Sequence, residues 1–136
     1  MHMQFLKAYT EIKSDSTEIA HRKLLPRIQG LRQVIMRMDE IRRSLQADNY
    51  KITYHCHKRM VRRSISKEEL VKLIKNGDII EDYPDRCPCP VVLILGHVSG
   101  RPCHVAMACC EDRLYVVTVY WPDEELWDDD YARRLR

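Results

Sequence analysis

Apolar residues recur at helical spacing in the first third of the chain. Six of them follow one another at separations of three or four positions: Ile28, Leu31, Ile35, Met38, Ile41 and Leu45. This spacing places them on one face of a helix. Pro26 is compatible only with a first helical turn, because it lacks the amide hydrogen that later turns need. The pattern therefore predicts a helix that starts near Pro26 and ends by Asp48 and Asn49.

Shorter elements follow this helix. Residues 51–54 predict a short strand, and the basic segment after them predicts a helix that begins at His55. Ser66 and Glu69 have the S-x-x-E spacing of a capping box, which predicts the start of a second short helix. Gly77 is expected to end that helix from the C′ position.

Four runs rich in β-branched and apolar residues occupy the second half of the chain. They cover residues 78–83, 91–98, 102–110 and 114–121. Segments rich in Pro, Gly or Asp separate them, so the runs predict an antiparallel meander. Residues 91–95 are apolar on both faces, which predicts a central strand covered on both sides. Pro122 and the acidic residues after it predict a final helical turn.

The order of these elements predicts an α+β fold, a small antiparallel sheet with helices packed on it and an extra helical segment at the N-terminus. A chain of 136 residues has room for one domain with a core of its own. We assign that domain to residues 24–136. Residues 1–23 are predicted to form an extension, with Met1–Met3 as a tag remnant and the rest loosely ordered.

Charge is divided unevenly along the chain. Residues 22–75 carry 15 Lys and Arg against 5 Asp and Glu, whereas residues 76–136 carry 6 against 12. The first segment is expected to attract a polyanion, and nucleic acid is the commonest one in the cytoplasm. Charge separation of this kind also arises when two halves of a protein simply pack against each other. No apolar run is long enough for a membrane span or a signal peptide, so we expect a cytoplasmic protein.

Six cysteines occur in the chain, and nothing indicates secretion. We therefore expect six reduced thiols and no disulfide. Cys87-Pro-Cys89 and the adjacent Cys109-Cys110 do not have zinc-ligand spacing, so we also expect no metal and no cofactor. A zinc site would need distant residues to converge, such as Cys56 and His57 with Cys87 and Cys89.

The segment YHCHKRMVRRSI, residues 54–65, is the strongest candidate for chemistry. On a helix, His55, Arg59 and Arg63 recur at every fourth position and share one face. Arginine suits a phosphate-rich ligand because its planar fork matches phosphate oxygens and stays charged. The plainer alternative is a solvated basic helix face with no ligand.

The lengths of the last two turns decide whether further candidate catalytic side chains lie on the same face of the sheet. A three-residue connection at 111–113 would pair His104 with Tyr120 on one face of the sheet. A two-residue loop would move Tyr120 to the other face. In the same way, a two-residue turn at Ser99-Gly100 would place His97 on the face of His104, and a three-residue loop would not. The sequence leaves both registers open.

Five motifs follow one another along the chain: HCHKRMVRRSIS, NGDIIEDYP, VVLILG, GRPCHV and VTVYWPDEELWDDDYARR. With these motifs, residues 31–136 resemble the domain-of-unknown-function family 4258 of small bacterial proteins. The resemblance implies a fold similar to the RelE, BrnT and MqsR toxins, which cut mRNA without a metal. It also implies a small antitoxin protein encoded next door. The residues that match the family pattern are His55, Arg59, Arg63, Arg101, His104, Tyr120 and Arg133.

Two hypotheses for function follow. In the first, the protein is a metal-independent endoribonuclease of a toxin–antitoxin system that cleaves mRNA, including ribosome-bound mRNA, by acid–base catalysis. His55, His104 and Tyr120 are then the catalytic residues, and Arg59, Arg63, Arg101 and Arg133 bind RNA phosphates. In the second, it is a non-catalytic interaction module of the same fold that binds a protein or a nucleic acid. A histidine that packs in the core is an equal alternative for His104, and oligomerisation is expected through the N-terminal helix.

Overall fold

A computed structural model describes residues 31–135 of the protein. The helices are α1 (Leu31–Gln46), α2 (Tyr54–Arg63) and α3 (Lys67–Lys75), and the strands are β1 (Tyr50–Ile52), β2 (Asp78–Tyr83), β3 (Val91–Val98), β4 (Arg101–Cys109) and β5 (Leu114–Tyr120). These bounds confirm the predicted order of elements from α1 to β5. The predicted extension at residues 1–23, the helix start near Pro26 and the proposed oligomerisation surface all lie outside the described residues.

The five strands form one sheet in the order β1-β5-β4-β3-β2. The meander from β2 to β5 is antiparallel throughout, as predicted. The short strand β1, whose direction the sequence did not specify, pairs in parallel with β5, so the sheet is antiparallel except at this edge. The chain passes through two helices and three strands between β1 and β5, and hence no tight hairpin forces the two to run in opposite directions.

Both faces of the sheet are covered, although by different kinds of structure. The helices bury one face in a core that includes Ile41, Leu45, Met60, Leu70, Leu73, Ile74, Val92, Ile94, Val105, Met107 and Val116. The segment after β5 covers the other face, where its Trp127 belongs to a second core together with Val91, Leu93, Tyr115 and Tyr120. The prediction that β3 is apolar on both sides and centrally placed is therefore confirmed.

Polar contacts fix the first helix to the rest of the domain. Arg37 forms an ion pair with Asp82 of β2, and Arg42 donates from Nε to the carbonyl oxygen of Lys75 at 2.9 Å. The second contact satisfies a carbonyl at the end of α3, where helical carbonyls lack partners. Together they place α1 beside α3 over the helix-covered face.

Capping defines both short helices. Thr53 precedes α2 and accepts a hydrogen bond from the amide of Cys56 at 3.2 Å, while its own hydroxyl donates to the carbonyl of Val117 at 3.0 Å. Ser66 and Glu69 form the predicted capping box, with distances of 3.0 and 3.1 Å. Thr53 thus starts α2 and ties that start to β5.

The β3–β4 hairpin has the two-residue turn Ser99-Gly100, since Val98 pairs with Arg101. Both turn residues have positive φ, 51° at Ser99 and 81° at Gly100, as a type I′ turn requires. His97 consequently lies on the face of His104, where it is exposed. Of the two registers that the sequence left open here, the structure has the shorter turn.

The β4–β5 hairpin has neither of the two loop lengths considered from the sequence. Cys109 pairs with Leu114, so the connection has four residues, and the pairing is shifted between Ala106 and Met107 by a β-bulge. Beyond that bulge His104 pairs with Tyr120. The four-residue loop shifts the pairing of β5 by one residue relative to a three-residue loop, and the bulge shifts it back by one. Tyr120 therefore lies on the same face of the sheet as His104.

The segment after β5 does not continue as a helix. Its amides at Leu126 and Trp127 donate to the carbonyl of Asp123 at 3.0 and 3.1 Å, which closes a single turn. An isolated bridge between Trp127 and Arg134 then folds the segment back on itself. The predicted final helical turn is therefore present as a single turn. The return of the chain after it was not predicted, and we call residues 122–135 the strap.

A disulfide links Cys89 to Cys110, so the expectation of six reduced thiols was wrong. Its origin lies in the strand register: Val91 pairs with Ala108, which places positions 89 and 110 opposite each other just beyond the paired residues. Their Cα atoms are 5.2 Å apart, within the range that a disulfide spans. Spacing along the chain could not show this, because the two cysteines are 21 positions apart.

Alkylation should therefore count four thiols in the unreduced protein, namely Cys56, Cys87, Cys103 and Cys109. Burial raises the pKa of the Cys56 and Cys103 thiols to about 12, so these two should react only after unfolding. The measurement is mass spectrometry after iodoacetamide treatment in denaturant, with and without prior reduction. Four labels without reductant and six with it are expected, and six in both samples would contradict the disulfide.

Candidate nucleic-acid interface

Helix α2 packs on β5 through Cys56 and Met60, which are buried. Its other residues form two neighbouring stripes. Tyr54, Lys58 and Arg62 recur at every fourth position on the outer stripe, and His55, Arg59 and Arg63 do so on the stripe nearer the sheet. Arg59 and Arg63 are half-buried, whereas Lys58 and Arg62 are exposed.

Four guanidinium groups gather at the end of this helix; we call Arg59, Arg62, Arg63 and Arg101 the arginine cluster. Partial burial lowers the pKa of Arg59, and the nearby charges of Arg63 and Arg62 lower it further. Partial burial also lowers the pKa of Arg63; the nearby Cys103 opposes this effect, and the charges of Arg62 and Arg101 add to it. Arg59 therefore lies near Arg62 and Arg63, and Arg63 lies near Arg62 and Arg101, so each of these pairs of like charges is unfavourable.

The arginine cluster has no acidic partner within residues 31–135. None of the ion pairs there involves its members. The Nε atom of Arg63 is buried without a hydrogen-bond partner, and the guanidinium of Arg101 lies 4.0 Å from the ring centroid of Trp121. Since Arg101 opens β4 and Trp121 follows β5, the ends of the β4–β5 pair complete the cluster beside α2.

His55 lies at the head of the same stripe. Its Nε2 is 3.2 Å from the hydroxyl oxygen of Thr118, and Thr118 is buried beside the β5 bulge. The imidazole is half-buried. The structure thus brings His55 onto the helix face that leads to Arg59 and Arg63, as the helical spacing predicted.

His104 lies on the opposite face of the sheet and has no exposed surface. Its Nε2 is 2.7 Å from the carbonyl oxygen of Tyr131, and its Nδ1 is 3.2 Å from the hydroxyl of Tyr120. A carbonyl only accepts, so Nε2–H donates to it and Nδ1 accepts from Tyr120 in a neutral imidazole. Burial lowers the pKa of His104, which favours this neutral form. Trp127 closes the site with its ring centroid 4.4 Å away.

The candidate site residues predicted from the sequence therefore do not form one site, because they lie on both faces of the sheet. Arg59, Arg63 and Arg101 converge with His55 on the helix side. The side chains of His104 and Tyr120 are buried beneath the C-terminal strap, and burial raises the pKa of the Tyr120 hydroxyl. Arg133 is exposed on that strap, where its amide donates to Asp128 at 3.4 Å.

Sequence patterns under-weighted or missed several members of the site. Arg62 was not among the residues that match the family pattern, but its position one turn after Lys58 and beside Arg63 was a usable signal. Thr118 and Trp121 gave no signal, because their contacts with His55 and Arg101 depend on the packing of α2 and on strand register. The acidic run at 123–130 belongs to the strap and so sits mainly on the face away from the helices.

Two further properties concern the described residues only. Among residues 31–135, no group of three or more His, Cys, Asp or Glu side chains is arranged to hold a metal ion. None of the helices within that range combines the length and the apolar character needed to cross a bilayer.

The chain belongs to the family described as Domain of unknown function (DUF4258), whose sequence model matches residues 52–121. The match is shorter than the span that the motifs suggested, but it includes β1's end, α2, α3 and the whole meander up to Trp121. It therefore contains the complete arginine cluster. No curated protein and no solved structure matches the chain significantly. The likeness to RelE, BrnT and MqsR toxins stays a prediction.

Proposed function

We propose that this protein binds RNA through the arginine cluster. One observation carries the proposal: four guanidinium groups lie close together on one surface, and no carboxylate within residues 31–135 pairs with them. Like charges that lower one another's pKa oppose folding. The negative charges of a bound polyanion would offset this repulsion, so the arrangement suits a protein that binds one.

The chemistry of the groups favours phosphate. Guanidinium forks bind phosphate oxygens with two parallel hydrogen bonds, and each contact releases counterions from the nucleic acid. The stripe from His55 to Arg63 spans eight residues of helix, or about 12 Å along its axis. A surface of that length contacts more than one phosphate, so a chain of phosphates fits it better than a single small anion. The expected relationship to RNA-cleaving toxins favours RNA over DNA.

Cleavage of that RNA has weaker support than binding. Metal-independent cleavage needs a base and an acid at the same phosphate, and the side chains of His104 and Tyr120 are buried on the opposite face of the sheet from the arginine cluster. His55 alone, of the three predicted catalytic residues, lies on the basic stripe. We therefore propose binding as the main function and His55 as the residue on which any cleavage would depend.

Replacing Arg59 and Arg63 together by alanine should weaken RNA binding at least 10-fold. The slope of log K against log salt should also become shallower by about 1.4, because each phosphate contact to a single strand contributes about 0.7. Arg113→Ala is the control for a general loss of charge: it removes one guanidinium group from the β4–β5 turn, at the far end of the strand pair from Arg101. Fluorescence anisotropy with a labelled RNA oligonucleotide measures both quantities.

Equal losses in the double variant and in Arg113→Ala would contradict a localised site, and no binding by the wild type would contradict the function itself. The same RNA, separated on a gel after incubation, tests for cleavage. Cleavage by the wild type that disappears in His55→Ala would favour the endoribonuclease, and intact RNA would leave binding as the whole activity.

A further inference from the structure

Helix α2 exposes an aromatic side chain beside its cationic residues. Tyr54 is its first residue and keeps 70% of its surface in contact with solvent. The Nζ atom of Lys58, one turn later, lies 5.0 Å from the centroid of the Tyr54 ring. A phenol ring that stays this exposed presents an aromatic surface to solvent at the start of the helix.

The ring lies at one end of the proposed RNA-binding surface. Tyr54, Lys58 and Arg62 form the outer stripe of α2, immediately next to the stripe of His55, Arg59 and Arg63. Arg62, a member of the arginine cluster, is eight residues from Tyr54, or about 12 Å along the helix axis. An aromatic face, a lysine and two stripes of cations therefore form one continuous surface.

We propose that Tyr54 is a stacking platform for an unpaired base, and that the ligand of α2 is consequently single-stranded RNA. This inference rests on the proposed function. Aromatic rings next to a cationic track are the combination that binds single strands, because every base has a face that stacks while the cations hold the backbone. The contact with Lys58 holds the ring in place and adds a cation near the phosphate of the stacked nucleotide.

Base pairing would prevent this contact. In an RNA duplex the bases stack on one another, and side chains reach mainly the phosphates and the 2′-hydroxyl groups. A ring at the start of α2 would then meet backbone only, and its removal would change little. The dependence of affinity on Tyr54 should therefore differ between single-stranded and double-stranded RNA, whereas the dependence on the arginine cluster should be present for both.

Two substitutions separate stacking from other roles of this residue. Tyr54→Ala removes the ring and should weaken binding to a single-stranded oligonucleotide by about 5- to 150-fold, the range for loss of one stacked base. Tyr54→Phe keeps the ring and should stay within about threefold of the wild type. Val61→Ala is the matched control, because Val61 is an equally solvated apolar residue of the same helix, 80% exposed. Alanine suits a helix, so circular dichroism and melting temperature should be unchanged.

The measurement is anisotropy with a labelled single strand and with the duplex of the same sequence, for the wild type and the three variants. Loss in Tyr54→Ala alone, and only on the single strand, is the expected result. Wild-type affinity in Tyr54→Ala, or an equal loss on the duplex, would overturn the stacking role while leaving RNA binding intact. A wild type that binds neither RNA would overturn the proposed function and this inference together.

Discussion

Replacing His104 by alanine should destabilise the protein by about 3–5 kcal/mol, the range for truncating a large buried ring. The imidazole is fully buried, and it contacts Trp127 and Tyr120 edge-on. Its loss would leave a cavity and would deprive the Tyr120 hydroxyl and the Tyr131 carbonyl of their partners. Because Tyr131 belongs to the strap, the strap should loosen together with the second core.

His97→Ala is the control for this experiment. His97 is the same residue type on the same face of the sheet, but it is exposed, so its removal should change stability by less than about 0.5 kcal/mol. Urea unfolding followed by tryptophan fluorescence measures both variants. A His104→Ala protein with wild-type stability but without RNA cleavage would instead support the catalytic role that the sequence suggested.

The pH dependence of stability provides a second readout for His104. Burial lowers the pKa of this imidazole below its ordinary value of 6.5, so the unfolded chain takes up the proton more readily. The stabilisation is fully present above pH 6.5 and is lost as the pH falls below that value. His104→Gln, which cannot be protonated, should remove this part of the acid sensitivity; an unchanged pH profile would contradict the neutral buried form.

The substitution Gly96→Ala should cost about 2–3 kcal/mol, at the upper part of the range for overpacking. A Cβ atom at Gly96 would lie 2.7 Å from the Cγ atom and 2.7 Å from the carbonyl oxygen of Leu73 in α3. The backbone oxygen cannot rotate away as a side chain could. Helix α3 would have to move off β3, and it would take the buried Leu70 and Ile74 with it.

Gly100→Ala separates this clash from the general effect of replacing a glycine. Gly100 lies in the hairpin turn at a φ of 81°, and nothing lies within 4 Å of a Cβ atom built there. Its cost is therefore only backbone strain, about 1 kcal/mol for one non-glycine residue in the left-handed region. Thermal unfolding of both variants should show the larger loss in Gly96→Ala, and equal losses would mean that α3 is not seated on β3 at this point.

Local patterns predicted most of the elements because the interactions that define them are local. The capping box of Ser66 and Glu69 and the spacing of residues along α2 join positions within a few residues of each other. Alternation and turn residues likewise predicted the meander, and the all-apolar start of β3 indicated that both faces are covered. The stripe of His55, Arg59 and Arg63 was predictable for the same reason, since helical periodicity alone places it on one face.

Features that depend on contacts between residues far apart in the sequence were decided only by the tertiary structure. The four-residue connection and the bulge in β5 offset each other, and only their combination pairs His104 with Tyr120. Strand register brought Cys89 to Cys110, and the strap covered a histidine that the sequence could place equally in a core or in a groove. Arg101 joined the arginines of α2 because the β4–β5 pair ends beside that helix. The sequence by itself determined which residues are basic, apolar or capping, whereas burial and long-range pairing, which are properties of the packed chain, determined which of them meet.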